Sequence, residues 1–406
     1  MKILLLNQSF VSPDEPGHTR HFEMAKYLQG CGHELVIVGS DSNYQTGLRT
    51  VDRKGLYVEQ VIEGVRVLRA YSAQTLHRSY FWRAVSFLSF MFSSVWAALQ
   101  VEKPDLIMGT TPPIFQAVSA WLVALVRQKP FLLEVRDLWP EFAISMGVIR
   151  NPLVIALAHW LERFLYARAT HVLVNSPAYK EYLLEKGIPQ GKVTFIPYGT
   201  DTGMFSPQVD GSGLRRELGL QDKFTVVYAG AMGQAHDLYT VLRAAARLTS
   251  EPRIRFVFFG DGKERLRLEA EARRLGLTNV LFAGVYPKRE MPVVLACADV
   301  CLAILQDIEM FRTTYPNKVF DYMAAGRATV LVIDGVIREV IEASGGGVFV
   351  QPGDDERLAQ TILELSKDPP RVRQMGENAR AYLVRHLDRR DKMRETLQLL
   401  ENLAGK

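Results

Sequence analysis

Between Tyr315 and Gly326 the chain reads Tyr-Pro-Asn-Lys-Val-Phe-Asp-Tyr-Met-Ala-Ala-Gly, an order of residue types suited to holding a negatively charged group. Pro316 fits the first turn of a helix, where a missing N–H is harmless. The free N–H groups and the dipole at such a start attract anions. Lys318 adds a full charge in that turn, and Asp321, one turn further, is placed to accept hydrogen bonds from a ribose diol. Gly326 ends the helix. An amphipathic helix with a proline start and a glycine stop has the same pattern, so the chemistry of this segment alone leaves both readings open.

Three further turns are rich in glycine. Tyr228-Ala229-Gly230-Ala231-Met232-Gly233 follows an apolar run and precedes a helical pattern, where glycines let backbone come close to a phosphate. Phe259-Gly260-Asp261-Gly262 is a second such turn, and Asp261 either lines a ligand edge or simply makes the turn. Gly17-His18-Thr19-Arg20 closes a polar loop that also holds Pro13 and Pro16. Arg136-Asp137-Leu138-Trp139-Pro140-Glu141 gathers two carboxylates, a guanidinium and an indole after a strand; a salt bridge beside a packed indole reads the same way. His159 and His171 read as structural, and His33 as a turn residue.

These segments need a scaffold. With 406 residues the chain exceeds one ordinary core and suits two domains. The first half alternates short apolar runs, at 3–6, 34–38, 65–69, 106–108, 131–134, 171–174 and 193–196, with helical patterns at 20–29, 80–100, 114–127, 152–167 and 177–186. Continuous apolar strands between helices imply a parallel sheet covered on both faces. A Pro-, Gly- and Asp-rich stretch at 197–213 marks the domain boundary. A second alternating set follows, with strands at 225–229, 255–259, 280–283, 300–304 and 329–333 and helices between them and at 370–384 and 388–403. In such sheets ligands bind at the strand C-terminal ends, beside the point where strand order reverses.

The formal net charge of +5 fits a phosphate-bearing ligand or an anionic surface. No basic run with interleaved aromatics speaks for nucleic acid. Cys31, Cys297 and Cys301 make no disulfide framework and no zinc spacing, and the last two read as core residues; a reducing cytoplasm is the expected compartment. The opening run, MKILLLNQSF, reads as a buried strand and not as a signal peptide. Residues 79–100 hold one charge, Arg83, among Phe81, Trp82, Phe87, Phe90, Phe92 and Trp96. At ~1.5 Å per residue this is long enough to cross a bilayer. It also suits a domain helix whose outer face meets a membrane, with Arg78 and Arg83 among the headgroups.

Taken in order, these segments resemble family 4 of the retaining GT-B glycosyltransferases over nearly the whole chain. The glycine-containing loop with Gly32-His33-Glu34 resembles the acceptor domain, and Pro197-Tyr198-Gly199-Thr200-Asp201 its closing segment. Gly230, Asp261-Gly262, Ala298-Asp299-Val300 and Asp321 to Gly326 are similar to its donor domain. The Asp137–Glu141 run and the Asn317-Lys318 pair resemble a bacterial subgroup of N-acetylfucosamine-type transferases for surface polysaccharides.

The resemblance implies an α/β, GT-B fold, with two doubly wound Rossmann-like domains facing a cleft. It implies an acceptor domain at 1–200, a nucleotide-sugar domain at 201–385, and a C-terminal helix at 386–406 returning to the first. The implied reaction is retaining and metal-independent, with no cofactor: a sugar moves from a nucleotide diphosphate, UDP first, to a lipid-linked glycan. The enzyme would be cytoplasmic, peripheral to the inner face of the cytoplasmic membrane. Implied catalytic residues are Asp137, Lys318, Asp321 and Arg20. Implied donor-binding residues are Gly17, Gly230, Gly233, Asp261, Arg312, Thr313, Thr314, Tyr315 and Asn317. Two family features are absent: Thr313 stands where the first carboxylate of a Glu-x7-Glu pair is usual, and Ala231 and His236 where an arginine and a lysine usually hold the diphosphate. Lys318, Arg312 and Arg20 are the cations left to replace them. A sugar-nucleotide epimerase of the same architecture and a non-catalytic nucleotide-sugar binder are the rival readings.

Overall fold

A computed structural model describes residues 1–15, 17–44, 46–52, 54–75 and 80–405. Pro16, Arg78 and Ser79, used above, lie outside the described residues. The chain folds as two units, Met1–Ile196 with Met393–Lys406, and Pro197–Lys392.

The first unit runs β1 (Lys2–Asn7), α1 (Arg20–Gly30), β2 (Glu34–Ser40), β3 (Tyr57–Ile62), β4 (Val65–Ala70), α2 (Tyr80–Leu99), β5 (Leu106–Thr111) and α3 (Ile114–Arg127). It continues with β6 (Phe131–Val135), α4 (Glu141–Ser145), α5 (Pro152–Arg168), β7 (His171–Val174), α6 (Pro177–Glu185) and β8 (Val193–Phe195). The sheet order is β3-β4-β2-β1-β5-β6-β7-β8, parallel throughout except for β3. The order reverses between β1 and β5, so the loop after β1 and the turn after β5 flank the crevice where α/β sheets take ligands. Backbone amide and side chain join the two sides there: Gln8 N–H donates to Gln116 Oε1 at 2.5 Å.

The sequence reading missed the β3–β4 hairpin. Its signal was Glu63-Gly64 between two β-branched runs, and both residues adopt positive φ, as a two-residue hairpin turn requires. His33 does more than turn the chain. Its Nε2 lies 3.3 Å from Glu401, tying α15 (Arg389–Ala404) to this unit.

The α2 helix packs along one side against the sheet of its own unit, although its length and composition would let it cross a bilayer. Among the described residues it alone is long and apolar enough, but one of its sides is built to pack. Phe90, Ser94, Ala97 and Ala98 are buried. Ser93 Oγ donates to Tyr71 O at 2.6 Å, Ser86 Oγ meets Ser72 Oγ at 2.9 Å, and Ser119 Oγ of α3 donates to Met91 O at 3.0 Å. Those serines find partners on the sheet side that lipid does not offer.

The second unit runs α7 (Ser212–Glu217), β9 (Phe224–Ala229), α8 (Leu238–Arg247), β10 (Ile254–Phe259), α9 (Arg265–Arg274), β11 (Val280–Gly284), α10 (Met291–Ala296) and β12 (Val300–Ile304). Then come α11 (Asn317–Ala324), β13 (Ala328–Val332), α12 (Val336–Ser344), β14 (Gly347–Phe349), α13 (Asp355–Ser366) and α14 (Pro369–His386). The order β11-β10-β9-β12-β13-β14, all parallel, reverses between β9 and β12. Strand residues alternate between two cores: Val227, Ala229, Cys301 and Ala303 face one, Val226, Tyr228, Val300 and Leu302 the other. The sequence reading passed over α7, α12, β14 and α13. Pro316 was expected inside the first turn of a helix; it instead caps α11 with extended ψ, and Asn317 is the first helical residue.

Candidate active site

The loops after β9 and β12 meet at the reversal point of the second unit. Gln306 N–H donates to Ala235 O at 2.8 Å, joining the two loops directly. Three glycines make room. A Cβ on Gly260 would lie 1.9 Å from Gly230 O, one on Gly262 2.4 Å from Met232 O, and one on Gly335 2.0 Å from Arg312 O. The first two let the β10 turn nest against the β9 turn. The last, at φ 90, lets the segment before α11 pass the start of α12.

Lys318 occupies the centre of this group. Its Nζ donates to the Tyr228 hydroxyl at 3.0 Å and stands 4.2 Å over the same ring. A Cβ on Gly230 would meet that Nζ at 2.6 Å. Among the described residues no carboxylate pairs with it. Loss of hydration pushes its pKa down to about 7. The residue keeps some exposed surface, so contact with water moderates the push. Tyr228 in turn donates to Ala231 O at 2.6 Å, holding the glycine turn. His236 sits beside this pair, its ring 6.2 Å from that of Tyr228. Burial, then the Lys318 charge, push it down to about 3, so it is neutral, and its buried Nδ1 finds no hydrogen-bond partner.

The start of α11 completes the arrangement. No side chain caps it, so its first N–H groups remain available. Tyr322, buried one turn on, holds the helix against the strand ends: its hydroxyl donates to Ala229 O at 3.2 Å and accepts from Ala229 N–H at 3.3 Å. A half-buried cation without a counter-charge, an open helix start and a glycine that leaves space beside the ammonium together make an anion site.

Other residues of the second unit are placed differently. Asp321 Oδ1 accepts from Thr200 Oγ1 at 3.0 Å, so the Asp321 helix is bonded to the Pro197–Asp201 segment. Arg312 is exposed and pairs with Asp307 at 3.1 Å. Thr313 and Thr314 donate to Met310 O and Phe311 O, at 2.6 and 2.8 Å, shaping the turn before α11. Tyr315 packs edge-on against Phe320, 5.4 Å away. Asp261 caps its own turn, its Oδ1 accepting from Gly262 N–H at 2.8 Å. Gly233 has an ordinary φ of -106, and a Cβ there would touch only His236 Nδ1 at 3.7 Å. Asn317 stands exposed at the helix start.

In the first unit Gly17, at φ 140, shapes the loop after β1. Arg69, buried under that loop, pairs with Glu15 at 2.7 Å and donates to Ser40 O at 3.2 Å, holding loop to sheet. A buried network lies next to it. Ser9 N–H donates to Asn7 Oδ1, so the Asn7 amide donates to His21 Nδ1 at 2.9 Å; His21 Nε2 then carries the proton and donates to Glu134 at 2.7 Å. Arg20 meets the other Glu134 oxygen at 2.5 Å. Burial alone raises the Glu134 pKa, but Arg20, His21 and Arg136 outweigh it and hold the carboxyl well below the usual range. The Arg20 charge is thus already matched.

Asp137 follows two residues after β6, and its carboxyl makes no hydrogen bond or ion pair among the described residues. The protein around it pushes its pKa up to about 6, against the pull of Arg136 and Arg20; its exposed surface moderates that push. Arg136 anchors the position, donating to Thr111 O at 3.1 Å and Pro112 O at 2.9 Å. Glu141 does not join Asp137. It accepts from Tyr182 at 2.7 Å and pairs with His159 at 3.1 Å and Lys186 at 3.5 Å.

The fold has known counterparts. Residues 17–199 match the model of the glycosyl transferase 4-like domain, and residues 213–382 that of the glycosyl transferases group 1. The chain is a GT-B glycosyltransferase of the family 4-like kind. This glycosyltransferase is 27% identical to the putative colanic acid biosynthesis glycosyl transferase WcaI of Escherichia coli K12, over 100% of both chains. In fold it is similar to HepE of Anabaena, solved in complex with UDP: TM-score 0.74, 19% identity, covering 99% of this chain and 100% of that one. The sucrose-phosphate synthase of Thermosynechococcus elongatus gives a TM-score of 0.77 at 19% identity, over 99% and 98%.

In this glycosyltransferase one of the two departures, His236, lies beside Lys318 in space. His236, where the family resemblance places a lysine, is neutral and borders Lys318, which supplies a cation from a different element. The Lys318 ammonium thus stands beside Gly230 from α11. Proximity of residues about 80 positions apart could not be read from either segment alone.

Proposed function

We propose that this glycosyltransferase moves a sugar, with retention at the anomeric carbon, from a nucleoside diphosphate to a lipid-linked glycan in surface polysaccharide synthesis. UDP is the first nucleotide to try and an N-acetylated deoxyhexosamine the first sugar, on the likeness of the Asp137–Glu141 run and the Asn317-Lys318 pair. The name of the WcaI relative and the UDP complex of HepE support polysaccharide synthesis and a uridine nucleotide. The observation that carries the reading is Lys318: an uncompensated ammonium beside Gly230 and an open helix start.

The chemistry follows from charge. The bond from the anomeric carbon to the distal phosphate breaks, and negative charge grows on that phosphate. Lys318 and the N–H groups of α11 stabilise it there, a kind of term that dominates many enzymes. The acceptor oxygen bonds to the anomeric carbon on the face the phosphate leaves, and its proton passes to the departing phosphate oxygen. With this cation in place the transfer needs no divalent ion and persists in EDTA. Asp137, in the first unit, orients the acceptor hydroxyl when ionised.

The test is incubation with UDP-sugars and a lipid-diphosphate sugar, with product configuration read by NMR. Isomerised donor without transfer, or binding without turnover, overturns the reading. Asp137→Asn should lower kcat about 10–100-fold with UDP affinity unchanged. Because its surroundings push the wild-type carboxyl up from the usual aspartate range, toward about 6, activity should fall as pH drops through that raised value, and the Asn variant should lose this acidic limb.

Bound phosphate favours the charged form of Lys318 and lifts its pKa above about 7. UDP binding therefore takes up a proton above pH 7, and affinity falls by up to about tenfold per pH unit there. Calorimetry in buffers of different ionisation heat measures this uptake; none at pH 8 would remove Lys318 from the phosphate site.

A further inference from the structure

Three helices of the first unit lie side by side, α2 against α3 and α3 against α5, and each has an outer apolar surface that the chain leaves exposed. On α2, Leu88, Phe92 and Trp96 recur every fourth residue; Phe92 is 70% and Trp96 55% exposed. On α5, Leu153, Leu157 and Trp160 form one stripe, at 81%, 63% and 59% exposure. Leu125 and Val126 stand exposed at the end of α3 between them. An aromatic row joins the helices: Trp160 stacks on Phe164 at 5.6 Å, and Phe164 meets Trp121 edge-on at 4.8 Å. The packed sides of α2 and α5 are separate, carried by Phe90 and Ala97 and by Ala158 and Leu165. These two helices are therefore apolar on two sides, and the fold leaves most of the outer side uncovered. The sequence reading saw this in α2 and missed it in α5.

The charges select the partner. The three helices contain one acidic residue, Glu162, buried against Lys186 and Tyr166. Arg83, Arg163 and Arg168 are exposed, while Arg127 turns back to the Leu99 and Val101 carbonyls. Within the three helices the exposed charge is positive only, and the nearby Glu141 is matched by His159 and Lys186. A second copy docking through the same face would set like charges against each other. A bilayer with anionic headgroups offers an apolar layer for the leucines and phenylalanine, an interfacial layer for the tryptophans and phosphates for the arginines.

We infer that the α2–α3–α5 face docks into the surface of an anionic bilayer. Arg83, Arg163 and Arg168 lie at the phosphates, and Phe92, Leu153 and Leu157 below them. This names a surface for the membrane side of the reading proposed above and stands on the face alone, independent of the donor chemistry.

The test is flotation of the full chain with vesicles of phosphatidylglycerol in phosphatidylcholine, against phosphatidylcholine alone. The protein should bind the anionic vesicles, less so at high salt. Phe92→Gln and Trp160→Gln, at surface positions with unchanged circular dichroism, should each weaken binding roughly tenfold, and together nearly abolish it. Lys318→Ala should bind vesicles like the wild type. No binding to anionic vesicles, binding untouched by the two substitutions, or a dimer that W160Q turns into a monomer would each overturn the proposal. Vesicle binding without transfer strikes the donor-site reading only; transfer to a soluble acceptor without vesicle binding strikes this one only.

Discussion

Lys318→Met should lower kcat/KM by about 10²–10³-fold, the loss seen when a charge-stabilising group is removed from a transition state. The same substitution should make the free protein more stable. In the folded chain loss of hydration pushes the Lys318 pKa down to about 7, against 10.5 for an ordinary lysine. The unfolded chain therefore binds more protons between those limits, and stability rises with pH across that window. Below pH 7 the full penalty of holding the charge in place is present, and methionine removes it. An increase in Tm of roughly 2–4 °C at pH 7 corresponds to ~1 kcal/mol for a unit of this size. The gain should shrink as pH approaches 10. A site that binds an anion is thus destabilising while empty, a common relation between function and stability. Equal loss of stability and activity would mean that Lys318 is structural.

Gly230→Ala should weaken UDP binding about 100-fold, because it acts on two terms at once. Its φ of 149 strains any residue with a side chain. The new methyl would also stand 2.6 Å from Lys318 Nζ, in the space an incoming phosphate needs. Gly233→Ala is the internal control: with φ -106 and nothing closer than 3.7 Å, it should change affinity less than about threefold. Calorimetric titration of both variants with UDP, with melting curves to check folding, reads the difference. Equal affinities would place the phosphate away from the β9 turn.

Much of the fold was legible because it depends on local pattern. Continuous apolar runs such as Leu4–Leu6, Leu106–Met108 and Phe131–Leu133, short and bounded by polar or turn residues, fit strands buried on both faces. The spacing of glycine turns after them marked the strand ends where α/β sheets bind ligands. Elements with weak local signals were missed: β14 is three residues long, and α7 six. The site was legible as a set of segments, not as a set of contacts. Arg20, Arg312 and Lys318 look equivalent as cations along the chain. In space the first is matched by Glu134 and the second by Asp307, and only the third lacks a carboxylate among the described residues. Glu141 looked like a partner of Asp137, yet it turns to His159 and Tyr182.

Residue order alone was enough to set the alternation of strands and helices, the boundary near Pro197 and the glycine turns, since each follows from interactions within a few residues. Strand order decided the rest. It brings Tyr228, His236 and Lys318 together across some 90 positions, bonds Thr200 to Asp321, and leaves the outer side of α5 bare. Which charges are matched and which surfaces are covered depends on neighbours distant in the chain, and those are chosen only when the sheet assembles.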